Sequence, residues 1–398
     1  MKINTDDKKI KELTEKGVET IIEKSNLLKK LKSGKKLRIK FGIDPTGSKI
    51  HIGRAIQFWK LKAFQDLGHQ VVLIIGDFTA QIGDASDKQA MRKPLSEKEI
   101  EKNMKDYKKQ IGKILDLDKT EIRYNSEWLK KLTIKDFLKI SMHFTAQQMI
   151  QRRNFRERWD NQKPIGLHEL TYPIFQGYDS VAVKSDIEIG GSDQLFNLKI
   201  GREIQKIFKQ PIQDIMTSKM LLGLDGRKMS TSWGNVINII DKPNDMYGKI
   251  MSMTDELIPE YFELCTDISL KELEIIKKDL KEERIAPKEI KMKLAKKIVE
   301  LYWGKKKAQD AEKEFQKIFV EKETPSDIPE IEINEKKLFI LDLLVKTKLV
   351  LSKSEAKRLI LQNAVKINNE IQKDWRKNIE IKKGSLIQIG KRKFVKII

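Results

Sequence analysis

His51-Ile52-Gly53-Arg54 opens a segment whose apolar residues Ile52, Ala55, Ile56, Trp59, Ala63, Phe64 and Leu67 recur at helical spacing. The first turn of a helix leaves backbone N–H groups without intrahelical partners, and with the helix dipole they favour an anion. An imidazole there donates to phosphate oxygens, and Gly53 leaves room for a flat ring or a ribose against the backbone. Far downstream, Lys228-Met229-Ser230-Thr231-Ser232 follows Arg227 and the glycine-rich Leu222-Gly223-Leu224-Asp225-Gly226. A loop of this kind brings a cation and hydroxyls, and could fold over a triphosphate to stabilise charge on a departing pyrophosphate. Taken singly, the first pattern is more often an ordinary helix start and the second an exposed loop. Tyr172, Gln176 and Asp179 recur at spacings of four and three and so share one helix face, itself a common arrangement. Gly190-Gly191-Ser192-Asp193-Gln194 reads as a turn into a helix, where glycine permits close backbone approach and Asp193 can accept from ribose hydroxyls.

These residues need a frame, and the flanking sequence supplies one. Residues 37–43 read as a strand that turns at Asp44-Pro45-Thr46-Gly47-Ser48 into the helix from Ile52, which Gly68 closes. The unbroken Val71-Val72-Leu73-Ile74-Ile75 suits a strand covered on both faces, so the unit is βαβ in a parallel sheet. Residues 1–36 read as amphipathic helix, residues 97–164 as a charged helical insertion, and Val181-Ala182-Val183 as another buried strand. The expected organisation is a Rossmann-like α/β domain over 1–235 with its signature loop at 223–234, then an α-helical domain over 236–320. A linker over 321–336, containing Pro325 and Pro329, leads to a small basic domain over 337–398.

Composition excludes several classes of function. With 398 residues, 35% charged and 39% hydrophobic, the chain is long and apolar enough for two or three folded domains and is not intrinsically disordered. Its apolar runs fall far short of the roughly 20 residues a spanning helix needs, and Asp6 and Asp7 sit where a signal peptide is basic, so a cytoplasmic protein is expected. One cysteine, Cys265, and 4 histidines offer neither an intramolecular disulfide nor a zinc spacing. The net charge of +22 suits a polyanionic partner or simply a solvated surface. Residues 337–398 hold 16 Lys/Arg against 5 Asp/Glu, a net of +11, so half of the excess lies in the tail.

Together the two signatures resemble those of the class I aminoacyl-tRNA synthetases, His-Ile-Gly-His and Lys-Met-Ser-Lys-Ser, with Arg54 and Thr231 as the departures. Within that class, residues 37–398 are most similar to bacterial tyrosyl-tRNA synthetases. Gly42-Ile43-Asp44-Pro45-Thr46 matches the segment that precedes the histidine signature. The resemblance implies that Asp44 meets the substrate's activated end and that Thr46 and His51 meet the phosphates. Gly83-Asp84-Ala85-Ser86-Asp87-Lys88 resembles the family's Gly-Asp-Pro-Ser-Gly-Lys, with departures at Ala85 and Asp87. Asp84 would hold the amino group of tyrosine, and Lys88 and Arg92 would reach the pyrophosphate. Tyr172-x-x-x-Gln176-x-x-Asp179 resembles the tyrosine motif, which gives Asp179 to the substrate hydroxyl and Tyr172 and Gln176 to its amino group, with Gln194 alongside. Lys40 holds a position where one branch of the family has a tyrosine that touches the same hydroxyl. Residues 338–371 resemble the S4 RNA-binding domain, with Lys353, Lys357 and Arg358 at helical spacing toward phosphates.

The resemblance therefore implies a fold, a reaction and its partners. Catalysis would fall to Thr46, His51, Lys88, Arg92 and Lys228, and the tyrosine site to Lys40, Asp84, Tyr172, Gln176, Asp179 and Gln194. ATP, entering with Mg²⁺, would meet Asp44, Thr46, His51, Gly53, Arg54, Gly191, Asp193, Lys228, Met229, Ser230, Thr231 and Ser232. The expected partners are tRNA(Tyr), L-tyrosine, ATP and a second copy of the chain, with no resident metal and no membrane. Two other readings remain at this level: tryptophan specificity, and an RNA-binding paralogue that has lost its chemistry, which the departures at Arg54 and Thr231 favour.

Overall fold

A computed structural model describes residues 2–84, 95–230, 233–319, 328–390 and 393–398. The chain divides into two compact units, Met1–Lys305 and Lys306–Ile398. In the first, six strands form one sheet: β1 (Val18–Ile22), β2 (Arg38–Ile43), β3 (Gln70–Ile75), β4 (Thr120–Tyr124), β5 (Ile187–Gly191) and β6 (Asp214–Ser218). Their order is β1-β6-β5-β2-β3-β4, with β1 antiparallel at one edge and the rest parallel. The apolar run of β3 is buried along its length, as a strand covered on both faces must be.

Alternation along β2 shows how the faces are covered. Phe41 packs edge-on against Phe58 of helix Ile52–Asp66, with centroids 5.6 Å apart, whereas Lys40 reaches Ser180 of helix Leu167–Val183 at 2.8 Å. Successive side chains of a strand point to opposite faces, so these two helices flank the sheet on either side. Between β2 and β5 the order reverses, with β3 and β4 extending the sheet one way and β6 and β1 the other. In open α/β sheets a ligand cleft forms outside the C-terminal ends of the strands at such a reversal.

Three expected elements come out differently. The helix expected over 1–36 is divided into helix Asp7–Glu15, β1 and helix Lys24–Lys32. Gly17, at φ +62°, ends the first helix, and Val18, Ile21 and Ile22 then pair along β6, so sheet pairing overrides the local periodicity. Val181-Ala182-Val183 is the end of helix Leu167–Val183, and the strand is Ile187–Gly191. Val181 clusters with Ile200 and Ile204, and Val183 with Val72 and Ile74 of β3, so this helix end is apolar on more than one side and reads as strand. The insertion at 97–164 is helical except for β4, which joins the sheet beside β3.

In the second unit, helices Ile340–Lys346 and Lys353–Leu361 share a core of Ile340, Leu343, Leu344, Ala356, Ile360, Val365 and Ile387 with the strands. Glu330–Ile331 pairs parallel with Lys393–Ile397, so part of the segment expected as linker belongs to this sheet. Among the described residues no helix is long and apolar enough to cross a membrane, and no cluster of His, Cys, Asp or Glu could hold a metal ion.

Candidate functional site

A cavity of about 530 Å³ lies at the C-terminal ends of β2, β3 and β5, the place the strand order designates. Asp179, from helix Leu167–Val183, lines it and is 3% exposed. Trp128 Nε1 donates to one of its carboxylate oxygens at 2.8 Å and Asn125 Nδ2 to the other at 3.4 Å. Burial pushes the Asp179 carboxyl up to about 7, against the opposing pull of the Lys40 ammonium. Lys40 itself, expected in the tyrosine site, does not line the cavity. Its buried ammonium pairs with Glu188 at 2.8 Å across β2 and β5 and donates to Gln176 O and Ser180 Oγ, each at 2.8 Å. It supports the helix that carries Gln176 and Asp179 from behind.

Acceptors gather on another wall. Tyr172 Oη donates to Asp44 Oδ2 at 2.9 Å, so its oxygen remains able to accept, and Tyr172 lines the cavity. Burial, with Asp44 and Asp84 nearby, raises the Tyr172 phenol well above its ordinary range, so it stays neutral. Asp44 Oδ1 also accepts from Thr79 at 2.8 Å, and Gly76 permits this approach, since a Cβ there would sit 2.0 Å from that oxygen. Asp84 pairs with Arg152 at 2.9 Å and accepts from Gln194 Nε2 at 2.7 Å. Gln176 Oε1 accepts from Asn197 Nδ2 at 2.9 Å, while its Nε2 faces Glu188 at 3.3 Å. A phenol oxygen, an amide oxygen and a carboxylate on one cavity suit an ammonium, and the buried Asp179 suits a hydroxyl donor.

Donors occupy the mouth. His51 caps helix Ile52–Asp66, its Nδ1 accepting from Arg54 N at 3.3 Å. Burial and the Arg54 guanidinium hold the His51 imidazole down to about 3, so it is neutral, and with Nδ1 accepting the proton sits on Nε2. Arg54 Nη2 donates to Thr46 Oγ1 at 2.8 Å and Nη1 to Tyr107 Oη at 3.2 Å. The two signatures meet at Gly53, where a Cβ would lie 3.0 Å from Met229 Sδ and 3.2 Å from the His51 ring. Asn235 braces the second signature, accepting from Ser230 N at 2.8 Å and donating to Lys228 O at 3.1 Å. Lys228 is exposed and lines the cavity, as do Gly191 and Asp193.

Of the expected residues, Asp44, Thr46, His51, Gly53, Arg54, Asp84, Tyr172, Gln176, Asp179, Gly191, Asp193, Gln194, Lys228, Met229 and Ser230 share this one cavity. Lys88, Arg92, Thr231 and Ser232 lie outside the described residues. In the second unit, Lys353 pairs with Asp342 at 2.5 Å, Lys357 lies over the Trp375 ring at 4.1 Å, and Arg358 is exposed. Sequence reading missed Asn125, Trp128, Arg152 and Glu188, whose partners lie far along the chain. Asn125 stands at the start of the short helix Ser126–Leu129 that carries Trp128, and no local pattern marked either residue.

Residues 32–320 match the family described as tRNA synthetases class I (W and Y), and residues 320–397 match the tyrosine--tRNA ligase SYY-like C-terminal domain. Tyrosine--tRNA ligase 2 of Clostridium acetobutylicum is 45% identical over 397 residues, covering 98% of each chain. The tyrosine--tRNA ligase of Thermotoga maritima is 43% identical, covering 97% of this chain and 96% of its own. Among solved structures, the tyrosyl-tRNA synthetase of Archaeoglobus fulgidus complexed with L-tyrosine superposes with a TM-score of 0.61 at 22% identity, over 76% of this chain and 98% of that one. The tryptophanyl-tRNA synthetase of Plasmodium falciparum gives 0.58 at 19% identity, over 79% and 90%. At these identities the structural likeness speaks for the fold alone.

Proposed function

The chain belongs to the class I tRNA synthetases of the tryptophan and tyrosine type, and from that membership we propose that it ligates L-tyrosine to tRNA(Tyr) at the expense of ATP. The observation that carries the reading is the polarity of the cavity. A buried carboxylate, Asp179, is held by Trp128 and Asn125, acceptors at Tyr172, Gln176 and Asp84 suit an ammonium, and donors at Thr46, His51 and Lys228 suit phosphates. Tyrosine has a hydroxyl at one end and an ammonium at the other, with a carboxylate left to meet ATP.

In the first step a tyrosine carboxylate oxygen attacks the α-phosphorus of ATP in line, the P–O bond to the β-phosphate breaks, and pyrophosphate leaves. The step requires no side chain as nucleophile or base, so catalysis is positioning and charge stabilisation. Thr46 Oγ–H and His51 Nε2–H donate to the phosphates, Arg54 holds both of these side chains, and Lys228 meets the leaving group with Ser230 and, by resemblance to the family's signature, Thr231 and Ser232. The resemblance assigns Lys88 and Arg92, outside the described residues, to the same pyrophosphate. Asp193 accepts from the ribose, while Gly53, Gly191 and Met229 shape the nucleoside pocket. Mg²⁺ enters with ATP as part of the substrate. In the second step a hydroxyl of the 3′-terminal adenosine attacks the tyrosyl carbonyl and AMP leaves. The second unit supplies Lys353, Lys357 and Arg358 to RNA phosphates, and the protein works as a homodimer in the cytoplasm.

Phenylalanine is refused because it would leave buried Asp179 without the hydroxyl it accepts from, and tyrosyl-tRNA synthetases are themselves the worked case of that discrimination. Asp179→Asn tests the assignment in ATP–pyrophosphate exchange. The expected result is a loss of roughly 10- to 100-fold in kcat/KM for tyrosine with little change for phenylalanine. Equal losses for both would mean that Asp179 serves the fold alone.

A further inference from the structure

Thr46 and His51 are each able to accept as well as donate, yet a phosphate needs them only as donors. A guanidinium has no acceptor, so where it meets a hydroxyl oxygen it consumes a lone pair and turns the hydroxyl proton elsewhere. Arg54 stands in this relation to Thr46, with Nη2 2.8 Å from Oγ1. Its other branch is tied to Tyr107 Oη at 3.2 Å, and Tyr107 is 1% exposed, so the guanidinium has a fixed seat beside Thr46 in the cavity wall. The Thr46 turn is anchored from the same segment, because Asn103 Nδ2 donates to Pro45 O at 2.8 Å. On its backbone side Arg54 donates to His51 Nδ1 at 3.3 Å, which leaves Nε2–H as the free donor of that ring. One residue therefore faces both phosphate donors with donors of its own.

We propose that Arg54 is a positioning residue that sets the polarity of Thr46, holding its hydroxyl as a donor toward the nucleotide phosphates. The inference rests on ATP being the ligand of this cavity. Without the guanidinium the hydroxyl is free to turn its lone pairs to the phosphate, and part of the bound population is then repelled. Arg54 acts through Thr46, so the two side chains form one unit.

A double-mutant cycle with Arg54→Met and Thr46→Val in the full-length chain tests this, read on ATP affinity by titration calorimetry and on kcat/KM for ATP in pyrophosphate exchange. Each single change is expected to weaken ATP by roughly 10- to 100-fold. The double variant is expected to be no weaker than Thr46→Val within about twofold. Arg54→Lys, which keeps the charge and one donor, should recover part of the loss, and tyrosine affinity should be unmoved in all of them. Losses that multiply in the double variant would overturn the proposal, because Arg54 would then hold the nucleotide independently of Thr46. Full ATP affinity in Arg54→Met would overturn it as well, as would a parallel fall in tyrosine affinity, which marks a general loss of structure. A wild-type chain that binds ATP but exchanges no pyrophosphate would contradict the synthetase reading and leave the calorimetric cycle to decide the role of Arg54.

Discussion

Asp179 titrates near neutrality because burial disfavours its charge more than Lys40, Trp128 and Asn125 can restore it, with Glu188 adding to the rise. A bound phenol that donates to the carboxylate favours the ionised form, so tyrosine affinity should strengthen as pH rises through about 7. Below that value the loss is expected to approach tenfold per pH unit, and Asp179→Asn should abolish the dependence. Equilibrium titration with tyrosine between mildly acid and mildly alkaline pH checks it, and a flat profile for the wild type would contradict it. The sign for stability is opposite. A carboxyl whose folded value is raised from 3.8 to about 7 contributes stability fully at acid pH and loses it as pH climbs through about 7. Asp179, Tyr172 and Gln176 were legible because one helix carries them at a spacing that names a face. Arg152 was not, since its partner Asp84 lies on another element 68 residues away and no local pattern couples them.

At the scale of elements, β2 and β5 meet where the sheet reverses, and Lys40 and Glu188 are register partners there. Both side chains are buried, at 0% and 1% exposure, and Glu188 also accepts from Ser180 at 3.1 Å and from Gln213. Removing one partner of such a pair leaves an uncompensated buried charge, which costs about 3–5 kcal/mol. Lys40→Met should therefore lose about 3 kcal/mol or more in denaturant unfolding, and adding Glu188→Gln should recover much of it by removing the stranded charge. A loss below about 1 kcal/mol would show that the pair does not hold the two strands at the cleft. Strand β3 was readable because a parallel strand buried on both faces is an unbroken apolar run, whereas β5, with Glu188 and two glycines in its five residues, carries no such run and was missed. Neither β1 nor the end of helix Leu167–Val183 was readable by that rule. In the first case pairing with β6 decides the conformation, and in the second a helix end buried on several sides has the composition of a strand.

The whole molecule carries an apolar stripe that its own first unit leaves uncovered. Ile134, Leu138 and Met142 recur every fourth residue along helix Ile134–Ser141 and its cap, and are 81%, 54% and 82% exposed. A stripe of this kind suits the self-complementary face of a symmetric dimer. Leu138→Glu combined with Met142→Glu should shift the chain from dimer to monomer in sedimentation velocity, and a wild-type monomer or an unshifted variant would contradict that. The basic character of the tail was visible in composition, since 337–398 holds half of the net charge, but its role came only from the resemblance of its residues to an RNA-binding domain. The boundary was less so, because Glu330–Ile331 lies in a proline-flanked stretch with linker composition and becomes ordered sheet only by pairing with Lys393–Ile397. Both units serve one claim, that the chain activates tyrosine and hands it to RNA. ATP–pyrophosphate exchange with each amino acid in turn tests that most directly. Exchange is expected with tyrosine, far above the weak exchange with phenylalanine, and not with tryptophan, whereas exchange with tryptophan, or with no amino acid at all, would contradict it.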